Sequence, residues 1–161
     1  MSDEHSIRAA TKDDISTIEA LAVAAGMFSA QEVGMVGDQL RSAGEEDHWL
    51  VLESGNAIAA AAYYAPEPFA DRMWNLYFIA VSPDHRRHGY GKTLIHFVED
   101  TLRGRGSDVA RTLIIHTSST DAYAGSRAFY ASIGYVEEAR IRQFYGPTDD
   151  QVVFWKSLVE P

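Results

Sequence analysis

Residues 86–93, Arg-Arg-His-Gly-Tyr-Gly-Lys-Thr, place two glycines and the basic side chains Arg86, Arg87, His88 and Lys92 in one short stretch. The run before it, Trp74 to Val81 (WNLYFIAV), is rich in aromatic and β-branched residues and reads as a buried strand. The run after it carries Leu94, Ile95, Val98 and Leu102 at i, i+1, i+4 and i+8, one apolar face of a helix. A glycine-rich turn feeding a helix N-terminus aims unpaired backbone N–H groups and the positive end of the helix dipole at one point. Phosphate is the usual occupant. The tail Gly91-Lys92-Thr93 matches the end of a nucleoside-triphosphate loop, but Arg86 stands where that motif needs its first glycine. His85 and His88 are spaced like helical metal ligands, yet they sit in a turn with arginines between them. No metal site is expected there.

The remaining composition narrows the chemistry. The chain has no cysteine, which excludes disulfides, thiolate zinc sites and an acyl-cysteine intermediate. A net charge of −9 argues against an extended nucleic-acid footprint, so the arginine cluster is a local positive island suited to a small polyanion. An acidic surround also favours a cationic, amine-bearing substrate. With 161 residues, 46% hydrophobic and 23% charged, the chain fits a single globular domain over 1–161. No apolar run is long enough for a membrane span, and the acidic, polar beginning does not resemble a signal or transit peptide. Cytoplasmic residence, no membrane and no nucleic-acid partner are therefore expected. The composition leaves a homodimer open.

The elements that must hold these residues follow from periodicity and turn chemistry. Ser6 to Ala10 reads as a first strand. A helix from Asp13 carries Ile15, Ile18, Leu21 and Ala25, with Thr11 as its cap, and Gly26 stops it. Ser29 caps a second helix through Val33, Val36 and Leu40. Residues 48–53 and 57–64 form a hairpin around Ser54-Gly55-Asn56, and Pro66 and Pro68 force a loop. A fourth strand over about 73–81 leads into the glycine turn and a helix from Tyr90 to near Gly106. Then come a strand over 111–117, a short helix over 126–133 ended by Gly134, and strands over 138–145 and 151–158. In the short helix Phe129 and Ile133 suit an inward apolar pair, with Tyr130 about a quarter-turn away. The order β-α-α-β-β-β-α-β-α-β-β implies an α/β (α+β) fold, a mixed sheet covered by helices.

The spacing Arg86-x-x-Gly89-x-Gly91 resembles the coenzyme A pyrophosphate loop of the GNAT N-acetyltransferases. Ser126 to Tyr135, SRAFYASIGY, resembles the same family's C-terminal helix, with Phe129, Tyr130, Gly134 and Tyr135 at its marked positions. The element order agrees along nearly the whole chain. The resemblance implies the acyl-CoA N-acyltransferase fold, a mostly antiparallel central sheet flanked by helices, and acetyl-CoA as co-substrate. It implies that the main chain of His88, Gly89, Tyr90, Gly91, Lys92 and Thr93 holds the pyrophosphate, with Arg86 and Arg87 adding charge. It also implies that Ile79, Ala80 and Val81 offer backbone groups to the pantetheine arm, and that Tyr130 faces the coenzyme sulfur and protonates it as it leaves.

The expected reaction is transfer of an acetyl group to a primary amine by direct attack in a ternary complex. A small-molecule amine is favoured over a protein N-terminus or lysine. A non-catalytic acyl-CoA sensor is the alternative. Where many relatives carry a glutamate on the fourth strand, this chain has Asn75, which cannot take a proton but can position a water or the amine. Glu67, Asp71 and His116 are the titratable candidates around it. Where relatives often place an asparagine ahead of the helix tyrosine, this chain has Tyr123. Arg140 and Arg142 alternate onto one strand face and suit an acceptor carboxylate.

Overall fold

A computed structural model describes residues 4–160. Seven strands follow the order β1-β2-β3-β4-β5-β7-β6, with four α-helices flanking a mixed, mostly antiparallel sheet. The chain divides into two compact units. One takes the chain to Ala65 together with Phe78–Val98, and the other takes Pro66–Tyr77 with the chain from Glu99 onward.

The first unit contains β1 (His5–Ala9), α1 (Ile15–Ala24), α2 (Gly34–Arg41), β2 (His48–Ser54) and β3 (Ala57–Pro66). β2 and β3 pair antiparallel through the expected hairpin, with Gly55 at φ +62° in the turn. Ile15, Ile18, Leu21, Val36 and Leu40 bury the inner stripes of the two helices against Trp49, Val51, Ala61 and Phe78. The alanine run Ala59–Ala62 is wholly buried, consistent with a strand covered on both faces. α2 begins at Gly34, later than expected. Ser29 accepts from the Glu32 backbone N–H at 3.2 Å and closes a turn instead of capping the helix.

β4 (Met73–Val81) and α3 (Tyr90–Arg105) are each shared between the two units. The second unit adds β5 (Thr112–Ser118), α4 (Ala124–Ser132), β6 (Val136–Gly146) and β7 (Asp149–Ser157). β5 pairs parallel with β4 from Met73↔Thr112 to Leu76↔Ile115, and antiparallel with β7 along its whole length. That register puts Asn75, Ile114 and His116 on one face, together with Gln151 and Val153 of β7, because side chains alternate with period two. The α4 expectation is corrected in one respect. Tyr130 is the residue buried from α4, at 6% exposure, while Phe129 and Ile133 are only half-buried. Its ring packs 5.6 Å from that of Phe154 on β7 and 5.6 Å from that of Phe129 beside it.

The entry to α1 is pinned by charge. The Asp14 carboxylate accepts two bonds from the Arg8 guanidinium, at 2.8 and 3.0 Å, and one from the Thr11 backbone N–H at 2.7 Å. The Arg8 contact holds its pKa down to about 2 from 3.8. A lowered folded-state value means stability that is present above the unfolded pKa and lost as pH falls through the folded one. Asp14→Ala is expected to cost about 2 kcal/mol in urea unfolding at pH 7. The gap between variant and parent should close as the pH is lowered from about 3.8 toward about 2.

Candidate active site

The glycine turn lies in the first unit. After β4, the Ser82 backbone N–H donates to Ala59 O at 2.8 Å, and Ser82 Oγ accepts from the Asp84 N–H at 3.3 Å. The chain then turns sharply, with Arg87 at φ +72° and Gly89 at φ +73°. A Cβ added at Gly89 would meet nothing within 4 Å, so glycine serves there for its backbone conformation and not for close approach. Thr93 donates to Gly89 O with both its backbone N–H and its hydroxyl, each at 2.9 Å. The N–H groups of Tyr90, Gly91 and Lys92 therefore precede Thr93, the first intrahelical donor. Glycine at the cap position brings no side-chain oxygen to them. Arg86, Arg87, His88 and Lys92 are exposed around this end.

Tyr90 anchors the turn. It is 2% exposed, its hydroxyl donates to Ser54 Oγ at 3.0 Å, and its ring stacks on His88 with centroids 5.3 Å apart. Its contribution to a ligand is limited to the main chain. In β4, Ile79 and Val81 are half-buried and Ala80 is buried, beyond the last residue paired to β5.

The second unit brings together Asn75, Glu67 and His116, the three residues named around the missing glutamate. Asn75 is fully buried. Its amide nitrogen donates to Glu67 Oε1 at 2.6 Å and lies 3.4 Å from His116 Nε2. The Tyr77 hydroxyl donates to the same Glu67 oxygen at 2.8 Å. Asn75 Oδ1 is buried without a partner among the described residues. Burial lowers the His116 pKa, against a raising contribution from the Glu67 charge, so the ring is neutral at physiological pH. Asp71 is not part of this cluster; it pairs with Arg72 in the loop at 2.7 Å.

Tyr130 is the other titratable group in this unit. Burial, with a smaller contribution from Tyr123, pushes its phenol up to about 12. No hydrogen bond to its hydroxyl forms among the described residues. It is thus a protonated donor at neutral pH with nothing assigned to receive the proton. Tyr123, where an asparagine was expected, also has its pKa raised by burial. Arg140 is tied to Asp150 at 2.8 Å, and Gln143, just past Arg142, adopts φ +57° where the β6–β7 register shifts.

α4 is fixed by a buried cluster that no motif announces. Glu99, 2% exposed, accepts from the Tyr135 hydroxyl at 2.6 Å and from Lys156 Nζ at 3.1 Å. Lys156 also donates to Ile133 O at 3.0 Å, at the end of α4. Gly134, at φ +99°, makes the reversal between Ile133 and Tyr135. Tyr135 was visible as a motif aromatic, but its carboxylate and lysine partners come from distant elements and carry no local signal.

The sequence profile of the Acetyltransferase (GNAT) family matches residues 13–135. The chain belongs to the GNAT acetyltransferase family. Over 75 residues, 47% of each chain, it is 40% identical to the [ribosomal protein bS18]-alanine N-acetyltransferase of Escherichia coli. Over 114 residues, 70% of this chain and 25% of the other, it is 32% identical to the amino-acid acetyltransferase of Pseudomonas aeruginosa. These alignments span about half and a quarter of the relatives' own lengths. The fold superposes on a GNAT-family protein from Desulfovibrio desulfuricans with a TM-score of 0.88 at 25% identity, covering 97% of this chain and all of the other. GNAT acetyltransferases use acetyl-CoA.

Lys156→Met would leave buried Glu99 with the Tyr135 hydroxyl and a 3.8 Å contact to Arg103, and would release the end of α4. A loss of about 3 kcal/mol is expected. Chemical unfolding at pH 7 measures it; a change below about 0.5 kcal/mol, as at an ordinary surface site, would show that the cluster does not hold α4.

Proposed function

We propose that this protein is an acetyl-CoA-dependent N-acetyltransferase that modifies a primary amine by direct attack in a ternary complex. One observation carries the reading. The family's glycine turn, with Gly89 in the left-handed region and the first N–H groups of α3 uncapped among the described residues, occurs in the same chain as a protonated Tyr130 whose hydroxyl has no partner among them. The residues fit the co-substrate. Backbone N–H groups of His88 to Lys92 and the charges of Arg86 and Arg87 suit a diphosphate, and the main chain of Ile79 to Val81 suits the amides of a pantetheine arm.

Acetyl-CoA supplies the acetyl group as a thioester. This chain's residues manage protons around it. An alkyl ammonium, with a pKa near ~10.4, must lose a proton before its lone pair can act. Asn75 would hold the amine through its unpartnered Oδ1, with Glu67 and His116 beside it to draw the first proton away. As the C–N bond forms and the C–S bond breaks, Tyr130 gives its phenolic proton to sulfur. The proton left on the new amide nitrogen returns to the phenolate, so Tyr130 ends as it began. The absence of cysteine supports direct attack.

One of the two relatives is named for an alanine of a protein and the other for amino acids, and both kinds of acceptor can offer an amine on the carbon next to a carbonyl. We infer an α-amino group as the nucleophile. A free amino acid or similar small molecule and a peptide N-terminus both present it. Thiol release assayed against amines, amino acids and N-terminal peptides separates these acceptors. Tight acetyl-CoA binding without acceptor-dependent release would instead favour a sensor.

Tyr130→Phe is expected to lower kcat at least tenfold, and by up to the ~10²–10⁴ typical of positioned acid–base groups. Calorimetry should find acetyl-CoA affinity nearly unchanged. Unchanged turnover would remove Tyr130 from the mechanism.

A further inference from the structure

The His116 ring is held from both sides by primary amides. Asn75 Nδ2 lies 3.4 Å from Nε2, and Gln151 Nε2 lies 3.1 Å from Nδ1. Two NH₂ groups facing both nitrogens cannot both be right, because a neutral imidazole has one N–H and one lone pair. One amide must present its oxygen. The Asn75 orientation is fixed by its 2.6 Å bond to Glu67, a carboxylate that already accepts from Tyr77. Gln151 has no such constraint. Its only other contact of this atom is the Tyr145 hydroxyl at 3.5 Å, which can donate as readily as accept. Turning the Gln151 amide gives both ring nitrogens of His116 and the Tyr145 hydroxyl a compatible partner. Gln151 Oε1 then accepts from His116 Nδ1–H and from the Tyr145 hydroxyl. The Nε2 lone pair points toward Asn75, whose second amide hydrogen it meets.

The geometry points to His116, in its Nδ1–H form, as the proton acceptor of the reaction, with Gln151 as the positioning residue that fixes this tautomer. This rests on the acetyltransferase reading above. The strands enforce the arrangement. His116 pairs with Val153 and Ser118 with Gln151, so the two side chains are diagonal neighbours on one sheet face, and Asn75 shares that face through its pairing with Ile114. Gln151 is 3% exposed, so an unmade amide bond there would be costly. In the reaction the acceptor ammonium gives one proton to His116 Nε2, displacing the weak 3.4 Å contact to Asn75. The amine lone pair forms the C–N bond, and His116 passes its proton to solvent after turnover. The groups around the ring are Asn75 and Glu67 on the β4 side and Gln151 and Tyr145 on the β7 and β6 side. Of these, Glu67 is the one carboxylate.

Long-range ¹H–¹⁵N correlation spectra of the free protein read the tautomer without any substrate. The wild type is expected to show a protonated Nδ1 and an unprotonated Nε2 at His116. In Gln151→Met that preference is lost, and kcat falls about tenfold or more with KM little changed. In Gln151→Glu the carboxylate keeps the Nδ1–H form and stabilises the imidazolium. The acid limb of the kcat profile, which falls as His116 gains a proton, then moves to higher pH. His116→Gln removes that limb and lowers kcat about 10²-fold. A protonated Nε2 in the wild type, or an acid limb that stays in place in Gln151→Glu, overturns the assignment. If the wild type released no thiol with any acceptor, the acetyltransferase reading would fail and His116 could not be its base, whichever tautomer the spectra showed.

Discussion

A helix cannot satisfy its own first N–H groups, and at α3 no side-chain cap comes from the described residues. Gly89 at φ +73° occupies the place where serine, threonine or aspartate would ordinarily close the end. Each hydrogen bond from such a group to an anion is worth about 1.5–3 kcal/mol, against about 0.3–1 kcal/mol for the helix dipole alone. The backbone N–H groups therefore dominate the attraction, and exposed Arg86, Arg87 and Lys92 add long-range charge to a protein that is otherwise acidic. The residue Tyr90 holds this end in place from below by burying its ring and bonding Ser54. Strain is concentrated in the same turn, since Arg87 adopts a left-handed conformation that an L side chain rarely takes.

The second unit solves a different problem, which is keeping ionisable groups in defined states. Tyr130 is buried and protonated, His116 is buried enough to stay neutral, and Asn75 connects it to a carboxylate without adding charge. An asparagine in place of a carboxylate removes a proton acceptor from β4. The same amide bridges Glu67 to His116 and so hands that task to a neighbouring strand. The Glu99–Tyr135–Lys156 cluster fixes the end of α4, the helix that carries Tyr130.

Much of this was legible in the sequence. Element order, β4, α3 and the glycine turn follow from strong periodicity and from glycine's access to positive φ, both local properties. Asn75, Glu67 and His116 were recognisable as a group because they surround one departure from the family pattern. Gln151 was not, since a glutamine in an apolar strand has no motif and its role depends on a cross-strand register. Glu99 and Lys156 escaped for the same reason. That Tyr130 is buried more deeply than Phe129 and Ile133 was not legible, because helical spacing alone does not rank neighbouring apolar positions. Ser29 looked like a helix cap and closes a turn, as serine does in both settings.

Backbone amide spectra recorded while acetyl-CoA is added test the central claim most directly. Saturable shifts should be largest at the N–H groups of His88, Gly89, Tyr90, Gly91 and Lys92, with downfield proton movement as each gains an anionic acceptor. Saturable binding that leaves those five resonances in place, or no binding at millimolar concentrations, would contradict it.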